Sequence, residues 1–271
     1  MPHVYHGAVG SSGSVFIALI VVLTVVAYLR GWSHIRSDSA KGISAWLAGS
    51  FVAGLFLIWI ATASPISSLD EQLLTSHMVQ HLLLMTLAPP LIWLGEPVRT
   101  VLNGLPQRVT QLVVWAFQPT AIRQPWIAIT RPTFSLLAAS AVLVGWHIPA
   151  LFVLGMHSKA WHVFEQSSFL VTGLLFWWPV IQPWPSVARQ DLSLILYLFL
   201  ATLPCDILSG FFVFGDRVVY PMYLSSSQPF GLTALEDQQC AGALMWTCVT
   251  VVYLVAGAML TVRLLRPARS S

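Results

Sequence analysis

The sequence predicts an all-α polytopic membrane helix bundle of seven transmembrane helices, with the N-terminus outside and the C-terminus cytoplasmic. Three observations predict it. Only 8% of the 271 residues are charged and 56% are hydrophobic, against roughly 25% charged in a soluble domain. Seven stretches are long and apolar enough to cross a bilayer, which takes about 20 residues of helix. Lys and Arg are also segregated, with eleven of the thirteen in alternate connecting segments.

The expected spans are 14–30, 44–62, 73–94, 133–152, 161–181, 192–214 and 240–264, in a single domain covering 1–271. Each is hydrophobic all round apart from a few polar positions, as lipid requires of a helix whose backbone must satisfy itself. The first run has no basic residues before it and no small-residue cleavage pattern after it, so it reads as a retained span and not as a signal peptide. Pro89-Pro90 lies inside the third span and predicts a kink there. The segment 97–132 contains 109–117, too short to cross; Arg108, Gln111 and Trp115 suit either a helix on the inner interface or an ordinary loop.

Orientation follows from the cations. Arg30, Arg36, Lys41, Arg99, Arg108, Arg123, Arg131, Arg189, Arg263, Arg266 and Arg269 fall on one side, and only Lys159 and Arg217 on the other. The positive-inside rule makes the first side cytoplasmic. The net charge of +3 comes with no basic cluster, which excludes a nucleic-acid partner. Cys205, Cys240 and Cys248 form no C-x-x-C pair. No Ser-His-Asp or H-E-x-x-H pattern is present, and the chain is expected not to be an enzyme.

Seven of the eight histidines then gather at the outer surface: His3, His6, His77, His81, His147, His157 and His162, with only His34 inside. His77 and His81 are four residues apart in an apolar run, so a helix puts both imidazoles on one face, close enough to share a metal. Glu165 lies one turn after His162, Asp206 sits in span six beside Cys205, and Glu236 and Asp237 precede span seven. Ionisable groups inside a span are costly and face a partner in the bundle interior. Met78 and Met85 add thioethers, although Met is also a routine gap-filler. The candidate metal ligands are therefore His77, His81, His147, His162 and Glu165, with His157, Asp206, Asp237, Met78 and Met85 as further candidates. A lone histidine in a span is more often a packing residue; two at this spacing, with others converging, point to metal. His3 and His6 are candidate transient ligands. Imidazole suits Zn, Cu, Fe and Ni, and thioether selects Cu(I), so copper is the first expectation and zinc the second.

These residues carry a resemblance. His77-Met78-Val79-Gln80-His81-Leu82-Leu83-Leu84 leading to Ala88-Pro89-Pro90-Leu91 and Gly95-Glu96-Pro97, then Trp146-His147-Ile148-Pro149, Phe176-Trp177-Trp178-Pro179, Tyr220-Pro221-Met222-Tyr223 and Glu236-Asp237-Gln238-Gln239-Cys240-Ala241-Gly242 with Met245-Trp246, closely resemble the seven-helix CtaG-type cytochrome c oxidase assembly proteins. The resemblance implies a role in maturing a haem-copper terminal oxidase in the bacterial plasma membrane, with oxidase subunits and a copper ion as partners. His77, His81, His147 and His162 match family histidines, Glu165 the acid that follows, and Asp237-Gln238-Gln239 the acidic motif before the last span. One departure stands out. The family commonly reads His-x-x-Glu-His where this chain has His162-Val163-Phe164-Glu165-Gln166, and Gln166 is a poor copper ligand. A substitute such as His157, or weaker binding, is then expected.

Three functions accommodate these features. The first is an assembly factor that passes copper from an outer site to the oxidase. The second is a copper transporter or resistance protein, for which Asp206 with Cys205 is the deep polar candidate. The third is a bis-histidine haem redox protein, with ligands such as His81 and His147 from facing helices.

Overall fold

The computed structural model describes residues 11–38, 44–64, 69–117, 120–182, 192–226 and 230–265, and among them every regular element is a helix. In chain order these are α1 (Ser11–Asp38), α2 (Ala45–Ala63), α3 (Leu74–His81), a π-helical run (Leu82–Leu87), α4 (Ala88–Leu94), α5 (Pro97–Gly104), α6 (Gln107–Phe117), α7 (Thr120–Ile129), α8 (Pro132–Trp146), α9 (Pro149–His157), α10 (Lys159–Ile181), α11 (Ser193–Phe214), a 3-10 turn (Pro221–Leu224) and α12 (Ala234–Leu265).

Five helical stretches are long and apolar enough to cross a membrane: Val15–Arg36 in α1, α2, the continuous run Leu74–Leu94, α11 and α12. The chain is a membrane protein. Large apolar side chains such as Leu23, Phe199, Ile207 and Leu254 point outward, as a lipid-facing surface demands. The run Leu74–Leu94 is the centre of the bundle, 61% buried where the other four are 11–28%. Around it, α3 packs on α12, α4 on α2 and α10, α8 on α10 and α11, and α1 on α2 and α5. At 23 residues, α10 is about 35 Å long at 1.5 Å per residue; Lys159, His162, Glu165 and Gln166 make its first turns more polar than those of the five.

Two expectations change. The stretch 133–152 is not one straight span. α8 stops at Trp146, and α9 leaves at 77°. Pro149 disfavours the helical conformation of the residue before it, and Ile148 is accordingly extended, with φ −66° and ψ 126°. The carbonyl of His147 accepts the Tyr220 hydroxyl at 2.9 Å.

The irregularity expected at Pro89-Pro90 lies one turn earlier. The two prolines occupy the first turn of α4, where a missing N–H costs little, and the strain is taken up by the π-helical run before them. The Ala88 N–H donates to the Leu83 carbonyl, five residues back. Pro89 cannot donate to Met85, and the freed Met85 carbonyl accepts Trp177 Nε1 from α10 at 3.2 Å. Trp93 Nε1 donates to the Leu174 carbonyl at 2.8 Å. Together these bonds lock α10 against the central span.

The segment 107–117 is a helix, α6, with Val109, Leu112 and Trp115 exposed along one side. That spacing of apolar residues fits a helix lying on an interface.

Gly173 sets the distance between α10 and the π run. A Cβ there would stand 2.8 Å from both the Cα and the carbonyl oxygen of Met85 and 2.9 Å from Pro89 Cγ. Backbone cannot yield as a flexible side chain can, so Gly173→Ala is expected to cost about 1–3 kcal/mol. A thermal melt of the detergent-purified protein checks this, and an unchanged midpoint would show that the two helices have slack.

Candidate metal centre

The site is assembled at the end of the bundle where α3, α10 and α12 begin. α3 starts with Leu73, which has no side-chain cap to offer. Asp237, in the first turn of α12, supplies one from a distance: Oδ2 accepts the Leu74 N–H at 2.6 Å, Oδ1 accepts the Thr75 N–H at 3.1 Å, and the Asp237 carbonyl accepts the Thr75 hydroxyl at 3.0 Å. A carboxylate there also complements the positive end of the helix. With α3 so fixed, His77 and His81 project from one face, ring centroids 4.3 Å apart.

Glu165, nearly two turns into α10, reaches between them. Its Oε1 lies 3.5 Å from His77 Nε2 and 3.4 Å from His81 Nε2. Gly155 of α9 leaves room for the carboxylate; a Cβ at that position would be 2.9 Å from Glu165 Oε2. Phe152 meets the edge of His77 at 4.9 Å, and Phe169 stacks on His81 at 4.0 Å, closing the walls with apolar rings. His77, His81 and Glu165 are all buried.

The spacing is informative. Both nitrogens of His77, both of His81 and both oxygens of Glu165 are buried with no hydrogen-bond partner among the described residues. Each such orphan costs about 1–3 kcal/mol. At 3.4 and 3.5 Å the His–Glu pairs are longer than charge-assisted hydrogen bonds, which run about 2.7–2.9 Å. Two ligand atoms each about 2.0–2.1 Å from one tetrahedral ion stand roughly 3.3–3.4 Å apart. One ligand atom from each of the three residues lies within 4.8 Å of the others.

A second group shares His77 and adds Asp70 and His162. His162 Nε2 is 3.4 Å from Asp70 Oδ2, and its Nδ1 is 3.8 Å from Glu165 Oε2. Gln80 Nε2 donates to Asp70 Oδ2 at 3.2 Å, Gln166 Nε2 donates to Gln80 Oε1 at 2.8 Å, and the same Gln166 amide meets His162 Nε2 at 2.8 Å. A carboxylate can only accept. Asp70 thereby orients the Gln80 amide, Gln80 orients Gln166, and Gln166 presents N–H to His162, whose proton then belongs on Nδ1. The Tyr223 hydroxyl donates to the Asp70 carbonyl at 2.8 Å. Burial, with Asp70 and Asp237 nearby, pushes the Tyr223 phenol well above its ordinary range, so it stays a donor.

The remaining candidates lie elsewhere. His147 is one layer deeper, its ring 5.9 Å from that of His81; Nδ1 donates to the Leu143 carbonyl at 2.6 Å, and Nε2 faces Met78 Sδ at 3.2 Å. Met85 is buried in the π run, on the same cavity as His81 and His147. His157 is exposed and bonds the Val153 carbonyl through Nδ1 at 2.8 Å. Asp206 is half-buried on α11 and belongs to neither group. Asp237 is engaged as the α3 cap. His3 and His6 fall outside the described residues.

Sequence reasoning passed over Asp70 and Gln80. Asp70 lies seven residues before His77 in the loop that leads into the histidine helix, and Gln80 is a polar residue in an apolar run; both were visible as intrusions. Gln166 stands out in sequence only as the loss of a ligand, whereas the structure places it as the link between His162 and Gln80.

The sequence profile of the cytochrome c oxidase caa3 assembly factor family (Caa3_CtaG) matches residues 26–267. Among curated proteins, uncharacterised proteins of Mycobacterium tuberculosis and Mycobacterium bovis are each 24% identical over 257 residues, covering 89% of this chain and 37% of theirs. An uncharacterised protein of Mycobacterium leprae is 20% identical over 251 residues, covering 88% and 37%. The chain thus spans little more than a third of the length of these relatives. No solved structure matches.

The amide relay can be tested by a double-mutant cycle. Gln80→Leu and Gln166→Leu are each expected to cost about 1–3 kcal/mol, because each orphans a buried partner. The double variant is expected to cost less than the sum, read from denaturant or thermal unfolding in detergent. Additive losses would mean that the two amides do not interact.

Proposed function

The chain belongs to the cytochrome c oxidase caa3 assembly factor family, and on that premise we propose that it holds a copper ion between His77, His81 and Glu165 and passes it to a haem-copper terminal oxidase. The observation that carries the reading is the trio's geometry: three buried Lewis bases, without hydrogen-bond partners among the described residues, at the mutual spacing of co-ligands. One carboxylate opposite two neutral imidazoles gives the complex of a divalent ion a small net charge, which suits an apolar surrounding. Three ligands leave a coordination position for an incoming donor or acceptor, as a carrier needs. Zinc fits the same ligands, and metal analysis decides between the two.

In this reading the protein is one seven-span domain in the bacterial plasma membrane, with α10 and the broken α8–α9 unit completing the five apolar stretches. Lys and Arg segregation puts the C-terminal end of α12 in the cytoplasm and the metal group at the outer surface, where a docking oxidase subunit reaches it. Asp70 and His162 form the entrance side, since His162 is the one ligand candidate of the two groups that is only half-buried.

Transport is the competing use of the same ligands, and copper uptake into sealed vesicles separates the two. The purified protein is expected to bind a single copper ion at this group, and His77→Ala or His81→Ala to abolish that binding and lower the copper content of the oxidase. Undiminished binding in the double alanine variant would reject the site; normal oxidase copper with impaired vesicle uptake would favour transport.

A further inference from the structure

Beneath the trio lies a cavity of about 40 Å³ bordered by His81, His147, Met78, Met85, Met245 and Cys205. That is room for an ion with a water or two, and nothing bulkier. Three methionines, a cysteine and two histidines line it, drawn from the central span, the C-terminal end of α8, α11 and α12, so the sulfur-bearing residues come from different parts of the chain.

One contact makes this more than apolar filling. His147 Nδ1 lies 2.6 Å from the Leu143 carbonyl, which can only accept, so the proton of the neutral ring is on Nδ1. Nε2 then carries a lone pair, and it points at Met78 Sδ, 3.2 Å away. The ring is buried, 6% exposed, and among the described residues no carboxylate pairs with its Nε2. An imidazolium there would be a buried charge with no carboxylate in direct contact, which is expensive. Two lone-pair donors therefore face each other with no proton between them. An electron-accepting ion between them removes that conflict.

We propose that this cavity is a second metal site, specific for a soft monovalent cation of the Cu(I) class, with His147 Nε2 and Met78 Sδ as its primary ligands and Met85, Met245 and Cys205 as the surrounding sulfur shell. A set dominated by thioethers favours soft Cu(I), whereas imidazole with carboxylate takes Zn or Cu alike. His81 is the partition between the two sites: its Nε2 faces Glu165, and its ring borders the cavity. The proposal extends the copper-handling reading but stands on different residues, so either can fail alone.

The test is an anaerobic titration of the full chain in detergent with Cu(I) against a chromogenic chelator, with Zn(II) titrated in parallel and the copper X-ray absorption spectrum recorded. Wild type is expected to take a Cu(I) equivalent with sulfur among its ligands. Met78→Leu, which preserves volume, is expected to weaken that equivalent at least about tenfold and to leave Zn(II) binding unchanged. His77→Ala or Glu165→Gln is expected to lose Zn(II) and keep sulfur-ligated Cu(I). A wild-type spectrum without sulfur ligands overturns the proposal, as does unchanged Cu(I) affinity in both Met78→Leu and Met85→Leu. A wild type that binds neither Zn(II) nor copper through nitrogen and oxygen ligands, with the sulfur-ligated Cu(I) intact, would instead remove the first site and leave the second.

Discussion

Keeping the Glu165 carboxylate beside two imidazoles in an apolar interior is the constraint on which this end of the bundle depends. A buried charge is tolerated only with a partner that returns the lost solvation, and the groups placed around Glu165 serve that end. α3 is set so that His77 and His81 reach it, and α9 offers a glycine hydrogen where a larger residue would collide. Phe152 and Phe169 close the walls. The loop before α3 brings Asp70 to the far side of His77, and the Tyr223 and Gln80 bonds keep it there.

The positions of these groups are transmitted through the central span. α3, the π run and α4 form one continuous rod, and α10 is clamped to it by two tryptophan hydrogen bonds to backbone carbonyls and by the close approach at Gly173. Glu165 lies on the same helix as Trp177 and Gly173, and the histidines lie on the same rod as Met85 and Trp93. The helical register that sets the His–Glu distance is thereby fixed some turns away, toward the opposite end of α10 and of the central span. A π run at this place is consistent with the frequency of such insertions near functional sites.

The bend after α8 gives the site its layers. By ending at Trp146, α8 leaves the next residue's imidazole, that of His147, one level below His77 and His81, with Tyr220 holding its carbonyl and Leu143 its Nδ1. The upper level offers nitrogen and carboxylate oxygen; the lower offers nitrogen and sulfur. A donor set that softens from one level to the next would sort an ion by its chemistry rather than by size.

Much of this was legible in the sequence. The apolar runs, the segregated cations and the four-residue spacing of His77 and His81 rest on local rules, that a helix of about 20 apolar residues crosses a bilayer and that positions four apart share a face. The family motifs likewise named Glu165 and His162. Asp237 was visible as an acid but not as the cap of a helix more than 160 residues earlier, and Gln166 was visible as a substitution but not as part of a relay. Asp70 and Gln80 were overlooked because nothing within a few residues of either announces a partner. The bend at Ile148 and the π run follow from Pro149 and Pro89-Pro90, yet a proline only forbids a hydrogen bond; where the chain turns and which donor takes the freed carbonyl depend on Tyr220 and Trp177. The sequence by itself determined a helical membrane protein with candidate ligand residues at one end. Only the tertiary structure decided which of those residues meet, because their distances are set by contacts between helices that no local rule relates.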